Sequence, residues 1–221
     1  MNKVHFDPIG KLMGLRHKSH PWHGVDIGEN APEEVITFIE MVPTDTVKYE
    51  VHKETGYLIL DRPQKYSSIL PALYGFLPQT YCGRRIGEIS ANILDRPEIV
   101  GDGDPLDICV LTEKDISGGD ILVRSIPIGG FRMIDGNQAD DKIVAVLKGD
   151  AFYGDVKDIS QLPNAVVDRL KHYFLTYKDM PGSKNLKTEV THVYGKDEAI
   201  EIITHSMSDY KDYVNKLLFE S

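Results

Sequence analysis

The order of apolar periodicities constrains this chain most: strand-length runs come first and helical spacing comes last. Val35–Met41 is apolar-rich, and Val47–Val51 alternates strictly, with Val47, Tyr49 and Val51 on one face and Lys48 and Glu50 on the other. His52-Lys53-Glu54-Thr55-Gly56 reads as a hairpin turn into a strand over Tyr57–Asp61. Further strands are expected at Leu106–Leu111, Ile121–Ile128, Gly130–Met133 and Ile143–Leu147. Leu162–Tyr177 then shows helical spacing at Val166, Leu170, Tyr173, Phe174 and Tyr177, with Pro163 suited to a first turn. Asp197–Leu218 repeats it with Ile200, Ile203, Met207, Tyr210, Val214 and Leu217 on one side, an amphipathic closing helix. Strands followed by helices predict an α+β fold, a small closed or nearly closed barrel with helices packed outside.

No repeat or low-complexity linker divides the chain, so residues 1–221 read as one domain. Residues 1–34 form an irregular amino-terminal arm, 35–180 the barrel and its site, and 181–221 a C-terminal segment with the closing helix. Pro78–Gly101 has no clear period and is expected to be a long excursion with some extended structure, functional or at an interface. Within the arm, Trp22 is expected to pin it to the barrel or to a neighbouring subunit.

The formal charge of −9 argues against nucleic acid as a partner, because phosphate backbones are bound through an excess of Lys and Arg. An acidic protein can still take a phosphate compound when divalent cations stand between the two sets of negative charge. Met1–Gly14 has no apolar stretch of signal-peptide length and no segment approaches a membrane span, so a cytoplasmic location is expected. Cys82 and Cys109 form no framework, and Cys109 lies in an apolar run that predicts a buried thiol.

Asp102-Gly103-Asp104-Pro105-Leu106-Asp107 concentrates three carboxylates beside two residues that shape backbone. Such carboxylates repel, and a hard divalent ion with oxygen ligands relieves the repulsion. Taken alone, the run reads more readily as a polar turn before a strand. An EF-hand is excluded, because Leu106 and Asp107 stand where a ligand and a glycine are required and a strand follows where a helix is needed. A second acidic pair, Asp135 and Asp140, falls in a loop between strand-like runs, and two acidic loops at strand ends favour a multi-metal pocket over either turn alone. His17, His20 and His23 lack a fourth ligand and a rigid helix, which disfavours zinc. Neither a Walker glycine loop nor a Gly-x-Ser-x-Gly elbow occurs.

These residues resemble the signature of the soluble inorganic pyrophosphatases of family I. The likeness extends, in order, through Phe38-Ile39-Glu40-Met41-Val42-Pro43, Lys48-Tyr49-Glu50, Asp61-Arg62, Pro71–Phe76, Asp135–Lys142 and His172–Asp179. It implies a five-stranded OB-type barrel flanked by two or three helices, and hydrolysis of pyrophosphate to two orthophosphates with several Mg²⁺ per site, Mn²⁺ being a possible substitute. By the same resemblance Asp102, Asp107 and Asp140 hold a first metal, with Asp107 bridging to a second. Asp135 and Asp140 take one arriving with substrate, and Glu40 and Glu50 order the surrounding waters. Asp104 is the general base and Tyr74 hydrogen-bonds near the nucleophile. Lys48, Arg62, Lys142, Tyr177 and Lys178 grip the phosphates.

Leu70 and Gly136 depart from the family pattern, where many members have Tyr and Glu; altered substrate binding or cation dependence is expected, with activity kept. The arm and Phe76–Gly101 resemble the longer eukaryotic-type members, so a homo-oligomer is expected, with dimer and hexamer both open. Two other readings stand beside this one. One is a non-catalytic metal- or ligand-binding OB-type module, which as a dead module that binds a ligand or partner would show no tight Mg²⁺ or Mn²⁺ site. The other is a hydrolase of larger phosphate esters, which would prefer those esters.

Overall fold

The computed structural model describes residues 17–178 and 188–219. In chain order the elements are β1 (Val35–Met41), β2 (Val47–Val51), β3 (Leu58–Pro63), β4 (Leu73–Phe76), α1 (Arg84–Leu94), β5 (Val100–Gly101), β6 (Asp107–Leu111), β7 (Ile121–Asp135), β8 (Gln138–Ala139), β9 (Lys142–Leu147), α2 (Asn164–Thr176), β10 (Thr188–Gly195) and α3 (Lys196–Phe219). Strands pair in the order β1-β4-β6-β9-β7, and β7 pairs back onto β1, which closes a five-stranded OB-type barrel. Only the β6–β9 contact of that ring is parallel. The fold is α+β, and the three α-helices of the described residues lie outside the ring.

Alternation along β9 sorts the core. Ile143 and Ala145 join the cluster containing Ile39, Ile108, Ile202 and Ile203, beneath α1 and α3. Val144 and Val146 join Phe131, Leu170 and Phe174 beneath α2. With both faces of β9 covered, its sequence reads as an unbroken apolar run rather than an alternating one. Strand β7 is long enough to pair with β1 at its start, β9 in its middle and β10 at its end. Gly129 permits this, since a Cβ there would stand 2.5 Å from the Tyr194 carbonyl oxygen.

Four expectations need correction. The strands expected at Ile121–Ile128 and Gly130–Met133 are one strand, with Gly129 at a register shift inside it. The stretch Pro78–Gly101 contains helix α1, whose buried positions are Ile86, Gly87 and Ser90; it is short and Gly83 opens it with no side-chain cap, so no start signal marks it. Strand β10 runs into α3 without a break, and β4 is only four residues long, and neither had been anticipated as a strand. Helix α2 begins at Asn164, with Pro163 flanking it rather than inside its first turn.

Trp22 is buried, donates from Nε1 to the Thr80 carbonyl at 2.8 Å, and stacks with Tyr81 and Tyr213, so the described part of the arm is pinned to its own chain. Cys82 and Cys109 are free and buried. Among the described residues no helix is long and apolar enough to cross a membrane. The expectations placed on Met1–Gly14, on Asp179 and on the 180/181 boundary lie outside the described residues.

Candidate active site

One mouth of the barrel opens into a cleft of about 530 Å³. Its walls include every side chain nominated from the sequence: Glu40, Lys48, Glu50, Arg62, Tyr74, Asp102, Asp104, Asp107, Asp135, Asp140, Lys142, Tyr177 and Lys178. They arrive from separate elements. β1 supplies Glu40 and β2 supplies Lys48 and Glu50; Arg62 comes from β3 and Tyr74 from β4. The loop entering β6 brings Asp102, Asp104 and Asp107, and the hairpin joining β7 to β9 brings Asp135, Asp140 and Lys142. Asp107 and Lys142 are opposite one another in the parallel β6–β9 register, which is why both acidic loops meet at one end of the ring.

The floor is built around Lys142, which is 2% exposed and ion-paired with both Asp107 and Asp140. Tyr74 donates from its hydroxyl to Asp107 Oδ2 at 2.6 Å. Glu40 Oε1 accepts from the Val51 N–H at 2.7 Å. Burial, then the nearby Asp107 charge, pushes Glu40 up to about 8. Burial and then Asp140 push Asp102 up to about 8. Asp140 is raised as well, chiefly by burial. Burial would lower Lys142, but Asp107 and Asp140 outweigh it and hold the ammonium charged.

Around the rim, Lys48 Nζ lies 3.0 Å from Glu50 Oε2 and 3.7 Å from Asp61 Oδ2, and Arg62 pairs with Asp61. Lys178 donates to Asp135 Oδ2 at 2.5 Å, and Tyr177 stacks on Tyr173 at 5.1 Å. Lys53 pairs with Asp104, and Lys53, Gln64 and Lys65 also line the cleft. None of those three had been nominated. They lie in or just after the β2–β3 hairpin, where a charged residue reads as a solvated turn, and no local pattern marks them. The departures fall differently: Leu70 is buried in the core beneath α2, and Gly136 sits at the hairpin tip with φ +67° and open space where a Cβ would be.

Among the described residues no three carboxylates, histidines or cysteines converge tightly enough to hold an ion as they stand, because lysine ammonium groups occupy the space between the acids. The donor set nevertheless fits a hard divalent cation: it is all oxygen, and burial, then a neighbouring acid, pushes Glu40 and Asp102 up to about 8. An acidic floor under a cationic rim, at the mouth of this barrel, defines the class as a metal-assisted phosphate hydrolase.

The inorganic pyrophosphatase family profile matches residues 37–211. The chain is 51% identical over 196 residues to an inorganic pyrophosphatase of Chlamydia trachomatis, covering 87% of this chain and 94% of that one. It is 32% identical to soluble inorganic pyrophosphatase 1 of Arabidopsis thaliana, over 89% of this chain and 82% of the relative. The crystal structure of the Thermus thermophilus inorganic pyrophosphatase superposes with a TM-score of 0.72 at 27% identity, covering 87% and 99% of the two chains. The chain belongs to the inorganic pyrophosphatase family and is an inorganic diphosphatase. That membership implies a divalent metal cofactor.

Proposed function

We propose that this enzyme hydrolyses inorganic pyrophosphate to two orthophosphates with Mg²⁺ as its metal, and that water is the nucleophile. The supporting observation is the convergence in one cleft of the acids, bases and tyrosines that separate sequence motifs nominate. Mg²⁺, when bound, would neutralise substrate charge and lower the pKa of the attacking water; Mn²⁺ is a possible substitute.

Asp102, Asp107 and Asp140 would hold the first ion, with Asp107 shared by a second, and Asp135 and Asp140 would receive one carried in with substrate. Glu40 and Glu50 would order waters around them. Asp104 would take the proton from the attacking water: of the three acids in its loop it is the one whose side chain is 43% exposed and paired only with the half-exposed Lys53. Tyr74 would hold Asp107 through its 2.6 Å hydrogen bond. Arg62 would fork onto phosphate oxygens, Lys48, Lys142 and Lys178 would act as point charges, and Tyr177 would donate from its hydroxyl.

Leu70 and Gly136 would change substrate binding or cation dependence without removing a ligand. We place the enzyme in the cytoplasm as a homo-oligomer, dimer or hexamer, which light scattering of the full chain and of a form lacking residues 1–30 would test. The central test is phosphate release from pyrophosphate with and without Mg²⁺. Absence of magnesium-dependent release overturns the proposal.

A further inference from the structure

The segment Thr80–Gly83 carries the acidic loop on one side and is held by the C-terminal helix on the other. Toward the cleft, the Cys82 N–H donates to the Asp104 carbonyl at 2.8 Å and the Gly103 N–H donates to the Cys82 carbonyl at 3.0 Å. The Leu106 N–H donates to Thr80 Oγ1 at 2.9 Å. Gly101 lies against the same segment backbone to backbone, since a Cβ there would stand 2.2 Å from the Cys82 carbonyl oxygen.

Away from the cleft, the Tyr81 N–H donates to the Ser206 carbonyl on α3 at 3.0 Å. Helix α1 follows immediately, and Gly83 at its start provides no side-chain cap. Asp209 of α3 supplies one from outside. It is 4% exposed. Its Oδ2 accepts from the N–H groups of Gly83 at 3.1 Å, Arg85 at 2.9 Å and Ile86 at 3.3 Å. Its Oδ1 accepts from Arg85 Nη1 at 2.8 Å. A carboxylate here satisfies donors that every helix start leaves unpaired and meets the positive end of the helix dipole. Asp209 is not among the residues lining the cleft.

We infer that Asp209 is a positioning residue: through Gly83 and Cys82 it fixes where Asp102, Asp104 and Asp107 present their carboxylates, and so sets the affinity of the cleft for its divalent cation. The inference rests on reading those aspartates as the metal-holding loop. Groups that hydrogen-bond a ligand directly change metal affinity about 10- to 100-fold when removed; Asp209 acts one backbone segment further out, so a smaller loss is expected.

Mn²⁺ alone serves as the probe, its free concentration followed by electron paramagnetic resonance without substrate. Wild type, Asp209→Asn, Asp209→Ala and Asp212→Asn are compared well below each melting point. Asp212 is the other carboxylate on Arg85, at 2.6 Å and 61% exposed, so its variant removes an ion pair and leaves the cap. Asp209→Ala is expected to bind Mn²⁺ more weakly by up to about 10-fold, Asp209→Asn to fall between, and Asp212→Asn to match wild type. Folded Asp209 variants with lowered melting points but wild-type Mn²⁺ affinity would show a merely structural role and overturn the inference. If Asp209→Ala does not fold, the affinity of Asp209→Asn decides. A wild-type chain with no Mn²⁺ site overturns instead the assignment of the aspartates.

Discussion

Two buried groups of charges lie a few residues apart on the β7–β9 hairpin and are built on opposite plans. Behind the barrel wall, Arg132 is fully buried, with Nη2 3.5 Å from Asp141 Oδ2 and 2.9 Å from Glu198 Oε1. Tyr194 donates from its hydroxyl to the same Asp141 oxygen at 3.2 Å. Burial lifts Asp141 only to about 6, because Arg132 and Tyr194 pull the other way. In front, Asp102 and Glu40 rise to about 8, since burial and neighbouring acids act together. The rear group sets its acids against a cation of the chain's own, although Arg132 Nε, Asp141 Oδ1 and Glu198 Oε1 have no hydrogen-bond partner among the described residues. The front group leaves carboxylates for which the chain supplies too few cations, and that shortfall is what a divalent ion can fill. Burial alone therefore does not separate structural from functional charge; whether a countercharge opposes it does.

The contrast can be broken most forcefully from the front. Asp104→Asn is expected to lower kcat by about 100-fold or more, the range of a lost general base, with an unchanged circular-dichroism spectrum. A near-wild-type rate would remove Asp104 from the chemistry. From the rear, Arg132→Met leaves Asp141 buried without its cation and is expected to destabilise the fold by about 3–5 kcal/mol in denaturant titration. The double variant with Asp141→Leu should recover much of that loss. Both should keep kcat within a few-fold at low temperature.

Metal addition sharpens the same contrast more gently. At about 100 times its dissociation constant, Mg²⁺ should stabilise the protein by about 2.7 kcal/mol. Thermal melts should show that gain in wild type and in the rear double variant, and a smaller one in Asp102→Asn.

The smallest effect is expected at Asp150, a carboxylate satisfied by neutral donors. Burial pushes it up, but hydrogen bonds from Thr112 and from the N–H groups of Tyr153, Glu113 and Phe152 outweigh burial and hold it at about 2. Its folded value is depressed, so its contribution is present above the ordinary carboxylate range and is lost as pH falls through about 2. Asp150→Asn should therefore flatten the acid side of the stability–pH curve and leave the neutral side parallel to wild type.

Asp102, Asp104, Asp107, Asp135 and Asp140 were legible as two acidic loops at strand ends, and Lys48 and Glu50 as one face of a strand; the other cleft residues were nominated by the resemblance to the inorganic pyrophosphatases. The barrel strands with an apolar face were legible from local order and parity. Helix α1 was not, since it is short, opens at Gly83 without a side-chain cap and carries Gly87 within it. Arg132 and Asp209 carried no signal either. The N–H groups that Asp209 receives come from more than a hundred residues earlier in the chain, and periodicity records a residue's own element, not its distant partner.

Strand β7 also dictates an order of events during folding. It is the shared partner of β1, β9 and β10, and its pairing with β1 joins Val35 to Ser125. Closing so large a span carries a heavy loop entropy that only later contacts repay, which slows chains rich in distant pairings. A growing chain that ends at β6 already contains the whole Asp102–Asp107 loop yet has no ring on which to set it. Competence to bind cations should thus emerge late in synthesis, after β7 and β9 have closed the wall and α3 has docked behind it.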